Sequence, residues 1–466
     1  MSNLLSSLQT ASTALQVFTQ ALGTDQRNVA NASTPGYAAQ RATILPVETG
    51  GEGAENDFLA LASTGDSRAD AAVRAASSQA SDTQTRSGQL SEVNQLFDIT
   101  GATGILAAFQ QFSGAFSQLA VAPNQVALRS NALTAAGNVA SAFRSVATSL
   151  DSQRGRVDAQ IRSTTDEINS LGAQIRGLNV QARGQSQPDP ATDANLRSTL
   201  EKLSSLVDIS VTKAADGTIS VLVGGTLPLV IGDRAYSLSS YPSGAAGSQV
   251  SSSARGHSPA AFSGQLGALL DIRNTTINQL LGSGAANATL NDLAAGFASR
   301  ANQLLSSGVT LDGTPGVPIF SFDATDLTNA ARTLTLNAAV TEDQLGLAAT
   351  GATPEANGIA NQLAGLPASE NAADQIQGLS AEDLFSAIAA SVGQQLAHAR
   401  SASESDQTTL TSAQINQQRI SGVSLDQEAV TITSLQRAYQ ANAQVVTVLN
   451  QLTGVAINII GGGSTA

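Results

Sequence analysis

Apolar residues recur at alternating intervals of four and three at both extremities of this chain, and that rhythm limits its fold more than any other feature. Near the start they fall at Leu4, Leu8, Ala11, Leu15, Phe18 and Leu22, a single stripe on a helix about 30 Å long. Near the end the same rhythm runs through Ile432, Leu435, Tyr439, Asn442, Val446, Leu449, Thr453, Ala456 and Ile460. Seams this narrow belong to coiled coils. Propensity and hydrogen bonding hold an isolated helix only weakly in water, so each seam needs a cover. The other terminus is the first candidate, and neighbouring copies are the second. Asn442 puts a polar group on the apolar seam; either it fixes register at some cost in stability, or it edges a wider stripe with Val445 and Leu452.

Between the ends the periodicity changes several times. Residues 90–182 read as long helices, with Val157, Ile161, Ile168, Leu171, Ile175 and Leu178 near heptad spacing. Pro188 and Pro190 turn the chain, and Leu196, Leu200, Leu203 and Leu206 carry a shorter helix. Period-two patterning follows at 207–212 and 219–223 around Asp216-Gly217, then at 227–231 and 236–238, which predicts an antiparallel meander. Residues 241–258 are Ser, Gly and Ala with little apolar content, as in a linker. Helical spacing returns at 266–281 and 290–305, and a second β-leaning stretch includes Ile319, Phe320 and residues 332–340. A helix at 384–396 precedes an amphipathic run to Arg419.

With 466 residues the chain exceeds the ~250–300 at which one core stops growing. The expected fold is mainly α with inserted β. Its N- and C-terminal helices pair in a coiled-coil layer (1–60 with 425–466), above a discontinuous long-helix bundle (61–206, 262–305 and 377–424) and a small outer β domain (207–261 and 306–376).

Composition excludes several function classes. A net charge of -13, with Lys202 and Lys213 the only lysines, repels nucleic acid and anionic lipid. Without cysteine there are no disulfides, thiolate nucleophiles or Cys-ligated zinc; export in an unfolded state and simple drift both account for this. His257 and His398 lack partners at metal-ligand spacing, and the glycine clusters at 50–51, 224–225 and 461–463 fit no phosphate loop. Acidic pairs such as Glu342-Asp343 and Glu382-Asp383 suit helix starts better than glycosidase chemistry. The chain is therefore expected to be no enzyme and to need no cofactor or metal. Neither a signal peptide nor a bilayer-spanning run is legible.

Two motifs add a resemblance. Asn28-Val-Ala-Asn31-Ala-Ser-Thr-Pro35-Gly36-Tyr37 resembles the signature that closes the first helix of flagellar rod, hook and hook-associated proteins. Ile420-Ser-Gly422-Val-Ser-Leu425-Asp426-Gln-Glu428, followed by Leu435-Gln-Arg437-Ala-Tyr439-Gln-Ala-Asn442-Ala, is similar to the last helix of the same family, although Gln427 stands where a second acid is common. The wording of the second motif, and the stretch from Gly264 to Arg273, resemble the hook-filament junction branch. The resemblance implies a structural subunit, exported without a cleaved signal peptide and assembled as a homo-oligomeric ring in the axial filament. It further implies the hook protein and the third hook-associated protein as partners, and a chaperone on the C-terminal helix. Hook and distal rod proteins, and an adhesin displaying its β region, are the alternatives. The residues expected to carry assembly are Leu4, Leu8, Leu15, Phe18, Leu22, Asn28, Asn31, Pro35, Gly36, Tyr37 (buried), Gly422, Leu425, Asp426, Leu435, Tyr439 (core packing), Asn442, Val446 and Leu449.

Overall fold

The computed structural model describes residues 2–44, 59–97, 103–183, 189–242, 247–253, 256–257, 262–281, 289–350 and 355–461. Helix α1 (Ser2–Ala30) is followed by the hairpin β1 (Gln40–Ile44) and β2 (Leu59–Ser63). Helices α2 (Ser67–Asn94), α3 (Ile105–Val121), α4 (Val126–Ala182) and α5 (Pro190–Leu206) come next. The 57 residues of α4 make a rod about 85 Å long at ~1.5 Å per residue.

Helix starts follow from their caps. Asp66 accepts from the Arg68 and Ala69 amides at α2, and Asp189 does the same for α5 with Pro190 in the first turn. Arg129, near the start of α4, is almost wholly buried. Its Nε donates to Pro123 O (2.6 Å) and its Nη1 to Glu342 O (2.9 Å), which ties the α3–α4 turn to a loop far along the chain.

The meander is β3 (Ile209–Lys213), β4 (Ile219–Val223), β5 (Leu227–Ile231) and β6 (Arg234–Ala235), antiparallel in that order. Gly217 takes the left-handed conformation (φ +82°) that its turn requires. Ile219, Val221 and Val223 point inward while Ser220 and Leu222 are less covered, the alternation of a half-buried strand.

Residues 241–258 are expected as a linker; 243–246, 254–255 and 258 lie outside the described residues, and most of the others belong to a second sheet of β7 (Leu238–Pro242), β8 (Ser248–Ser252) and β9 (Gly256–His257). The inward residues of β8 are Ser248, Val250 and Ser252. Ser248 is held by hydrogen bonds, its Oγ donating to Asp158 Oδ1 (2.6 Å) and its N to Asn274 Oδ1 (2.7 Å). A strand whose buried face is satisfied by polar bonds carries no apolar alternation to read.

Helices α6 (Gly264–Asp271), α7 (Ile277–Leu281) and α8 (Leu290–Ser307) return to the bundle. Residues 306–376, expected to be β-rich, hold among the described residues the two-residue strands β10 (Phe320–Ser321) and β11 (Thr335–Leu336), the short helices α9 (Ala330–Thr333) and α10 (Gly358–Gly365), three single 3-10 turns and irregular chain. Ile319, Leu334, Leu345, Ile359 and Leu363 pack into the helical core, so this segment is a cap on the bundle. Finally α11 (Ala381–Ser421) and α12 (Leu425–Gly461) close the chain.

Two cores result, and α4 runs through both. One gathers α3, the first half of α4, α8 and the start of α11, and takes in Phe97, Phe109, Phe112, Phe116, Phe143, Phe297, Phe320 and Phe385. Scarce as aromatics are, they are concentrated: Phe297 lies 4.8 Å from Phe109 and 5.4 Å from Phe112, ring to ring. The other packs Val157, Ile161, Ile168 and Ile175 of α4 against α5, α6 and the two sheets. Among the described residues, none of α1 or α12 is in either core.

Asparagines on helices attach neighbouring segments in a recurring way. Asn169 binds both N and O of Leu238, Asn302 both of Phe320, and Asn274 both of Ser248. Asn179 accepts from Ile219 N (3.0 Å) and donates to Ile219 O (2.8 Å) and Gly232 O (2.6 Å). Each amide imitates a strand edge toward one extended residue. Replacing buried Asn179 by Ala strands these backbone groups, at ~1–3 kcal/mol per orphaned group. Denaturant titration of the N179A variant is therefore expected to show a loss of about 3 kcal/mol.

Candidate assembly site

The terminal helices lie antiparallel against each other. Asn28 Nδ2 donates to Glu428 Oε1 (3.1 Å) at one end, and Asn442 Nδ2 donates to Ala11 O (2.8 Å) further along. On α1 the covered line is Ala11, Val17, Ala21, Thr24, Asp25 and Asn28, while Leu4, Leu8, Leu15, Phe18 and Leu22 flank it half-buried. On α12 the half-buried line is Ile432, Leu435, Ala438, Asn442, Val446, Leu449, Thr453 and Ala456. Tyr439, expected in the seam, is 43% exposed. The steps from Leu435 to Ala438 to Asn442 keep the stripe straight, so Ala438 takes the seam position and the phenol turns outward.

From Leu425 to Ala456, no residue of α12 is buried. Val445, Val448, Leu452 and Val455 form a second stripe with exposures between 49% and 56%. Each lies one position before a seam residue, so the second stripe adjoins the first.

A knot of polar groups joins α1, α12 and the hairpin. Asn28, 1% exposed, uses its whole hydrogen-bonding capacity. Its Oδ1 accepts from Gln40 N (2.9 Å) and Tyr37 Oη (3.0 Å), and its Nδ2 donates to Gln40 O (2.8 Å) as well as to Glu428. Tyr37 is half-buried, not buried as expected, and that burial pushes its phenol above the ordinary range, against the lowering influence of Arg27. Asn31 ends α1 by donating from Nδ2 to Arg27 O (2.9 Å) and accepting from Thr34 Oγ1 (3.2 Å). Pro35 is exposed.

Gly36 takes φ +76°, and a Cβ there would lie 2.4 Å from Ala194 O of α5. Only glycine permits both the conformation and the approach. The far side of the joint is Ser421-Gly422. Ser421 O accepts from Ala39 N (2.9 Å) and Thr64 Oγ1 (3.1 Å), and Ser421 Oγ from Asp66 N (3.2 Å). A Cβ on Gly422 would meet Gln418 O at 2.3 Å. Leu425 and Asp426 are exposed in the first turn of α12.

The body reaches this joint through α2 and α11, which also run antiparallel. Gln417 Nε2 donates to Asp70 Oδ1 (2.8 Å), and Arg400 Nη2 to Ser91 Oγ (3.4 Å). A cleft of about 260 Å³ remains between connector and body, lined in part by Tyr37, Asp70, Arg74, Arg197, Glu201 and Gly422. Acids offset the two guanidiniums, so the cleft has no strong single-sign field.

Thus the structure brings Asn28, Tyr37 and the seam residues Leu435, Asn442, Val446 and Leu449 to one interface, and leaves Pro35, Leu425, Asp426 and Tyr439 facing solvent. Asp25, Gln40 and Thr64, which no motif marks, also belong to the joint, as does Ser421 of the second motif. Asp25 had a legible signal, because the rhythm that ends at Leu22 lands next on it. Among the described residues, no helix is long and apolar enough to cross a membrane, and no three His, Cys, Asp or Glu side chains are grouped to hold a metal.

Residues 90–320 match the family model described as the flagellar hook-associated protein FlgK helical domain, and residues 417–459 match that of the flagellar basal body rod FlgEFG protein C-terminal region. The flagellar hook-associated protein 1 of Bacillus subtilis (strain 168) is 27% identical over 180 residues, 37% of this chain. That match spans only 35% of the relative's length. The solved flagellar hook junction protein FlgK from Burkholderia pseudomallei superposes with a TM-score of 0.65 at 15% identity, covering 75% of this chain and 100% of the other, a likeness of fold.

Proposed function

Because this chain belongs to the FlgK family of flagellar hook-associated proteins, we propose that it is a structural subunit of the flagellum, placed between hook and filament, whose terminal helices complete their packing on adjacent subunits. The observation that carries this reading is α12: it spans 37 residues, pairs with α1, and still has no buried side chain along its described length up to Ala456. Half-exposed Val445, Val448, Leu452 and Val455 supply the stripe that a neighbour covers. Association then orders a layer the single chain holds loosely, and part of the contact energy offsets that ordering.

In this reading residues 1–60 with 425–466 form the inner layer of a ring of identical subunits, with the helical bundle outside it and the sheets of 207–261 outermost. The hook protein lies below and the third hook-associated protein beyond. The chain is exported to the flagellum without a cleaved leader, with a chaperone on the C-terminal helix, and it catalyses no reaction. Its site is made mainly of apolar and amide groups, which fits adhesion between subunits.

Electron microscopy of a deletion strain tests the placement. Complete hooks without filaments, with flagellin monomers secreted into the medium, are expected. Absence of hooks would instead assign the chain to the hook or the distal rod.

A further inference from the structure

Where α1 meets α12, Asp25 and Glu428 come together: Asn28, three residues after Asp25 on the same covered face of α1, donates to Glu428 Oε1 (3.1 Å). Asp25 is 6% exposed, and its Oδ2 has no hydrogen-bond partner among the described residues. Glu428 approaches from α12, and its Oε1 receives the Asn28 amide. Two ionised carboxylates have no hydrogen to place between them, whereas a single proton turns their contact into a hydrogen bond.

We propose that Asp25 and Glu428 share one proton across the helix pair, making the clasp between α1 and α12 a proton-dependent joint that is firm when the pair is singly charged and loosens when both groups ionise.

The surroundings leave this pair to itself. Arg27 of α1 donates to Thr24 Oγ1 (3.0 Å). Tyr37 of the connector is engaged by Asn28. Arg41 of β1 and Asp426 of α12 are exposed. Burial first, then the charge and hydrogen bond of Glu428, push Asp25 up from 3.8 to about 6. A carboxyl raised on folding holds its proton more tightly when the helices are paired than when they are apart. Its contribution is therefore complete below about pH 4 and is lost as pH rises through about 6. The pairing constant is expected to fall by about a hundredfold across that window. The inference concerns pairing within one chain and stands whether or not the subunit occupies the hook-filament junction.

The absence of cysteine allows clean labelling. Nitroxides on Q9C and Q444C, both at exposed positions, report the distance between α1 and α12 in the full chain by pulsed electron resonance. The open fraction is expected to grow from pH 4 to pH 7.5. D25N should remove that slope and stay closed throughout, and E428Q should weaken the slope and move it to lower pH. A pH-independent distance in the parent, or a slope that survives unchanged in either variant, overturns the proposal. E428Q retains the buried acid, so the test does not depend on D25N folding.

Discussion

Deleting residues 1–25 abolishes incorporation into the flagellum and leaves the body of the molecule folded. The expectation follows from the distribution of buried apolar surface. Both cores are built from residues between Leu90 and Ala399, so removing α1 takes nothing from either. What is lost is the cover that α1 gives α12, and with it one face of the layer that neighbours must recognise. Denaturant unfolding of the shortened chain should retain the parent's midpoint to within about 1 kcal/mol, since surface and distant changes rarely cost more. Swimming should be lost in a strain carrying only this version. Removing residues 440–466 should give the same pair of results, because it strips the Val445 to Val455 stripe. If either truncation abolished cooperative unfolding of the body, the terminal layer would be part of the fold and not an appendage awaiting partners.

Replacing Gly36 by Val disconnects that layer from the body. Two penalties coincide at this position. A left-handed conformation at φ +76° costs a β-branched residue on the order of 1–3 kcal/mol. A Cβ placed 2.4 Å from Ala194 O cannot be relieved by a rotamer change, because the obstacle is helix backbone. The connector must therefore lift from α5. The amides of Ala39 and Thr64, which donate to Ser421 O (2.9 Å) and Ala39 O (2.8 Å), are expected to exchange at least tenfold faster, a change of ~1.4 kcal/mol or more. Core amides of α4 should keep the parent's protection, which distinguishes a local detachment from general unfolding. Unchanged exchange at Ala39 and Thr64 would mean that the connector does not depend on this contact.

What could be read in advance follows the physics of each region. The meander announced itself because Ile219, Val221 and Val223 alternate with less covered neighbours, and Gly217 marks the turn. The terminal helices were equally plain, since a three-four rhythm has no other common meaning. The second sheet was invisible because its inward residues include Ser248 and Ser252, which hydrogen bonds satisfy. Residues 306–376 misled for a different reason. Ile319, Phe320 and Leu334 have strand-like composition, but they are buried against helices, and burial against a bundle leaves no period of two. At the joint, Asn28 and Gly36 are legible from their motif, while Gln40 acts through its backbone N and O, which every residue type carries alike. Tyr439 shows the limit of periodicity: stripes one position apart differ by about 100° on a helix, and only packing decides between Ala438 and its neighbour.

Whether α12 finds its missing cover on adjacent subunits is read out by cysteine accessibility. V448C can be introduced into a chain that has no other thiol, with I231C on β5 as a reference, both at exposed positions in the single chain. Each is treated with a maleimide as secreted monomer and within isolated hook-filament preparations. The thiol at 448 is expected to react freely in the monomer and to be protected at least tenfold after assembly, while the thiol at 231 reacts alike in both. Equal reactivity at position 448 in monomer and assembly would contradict cover by adjacent subunits.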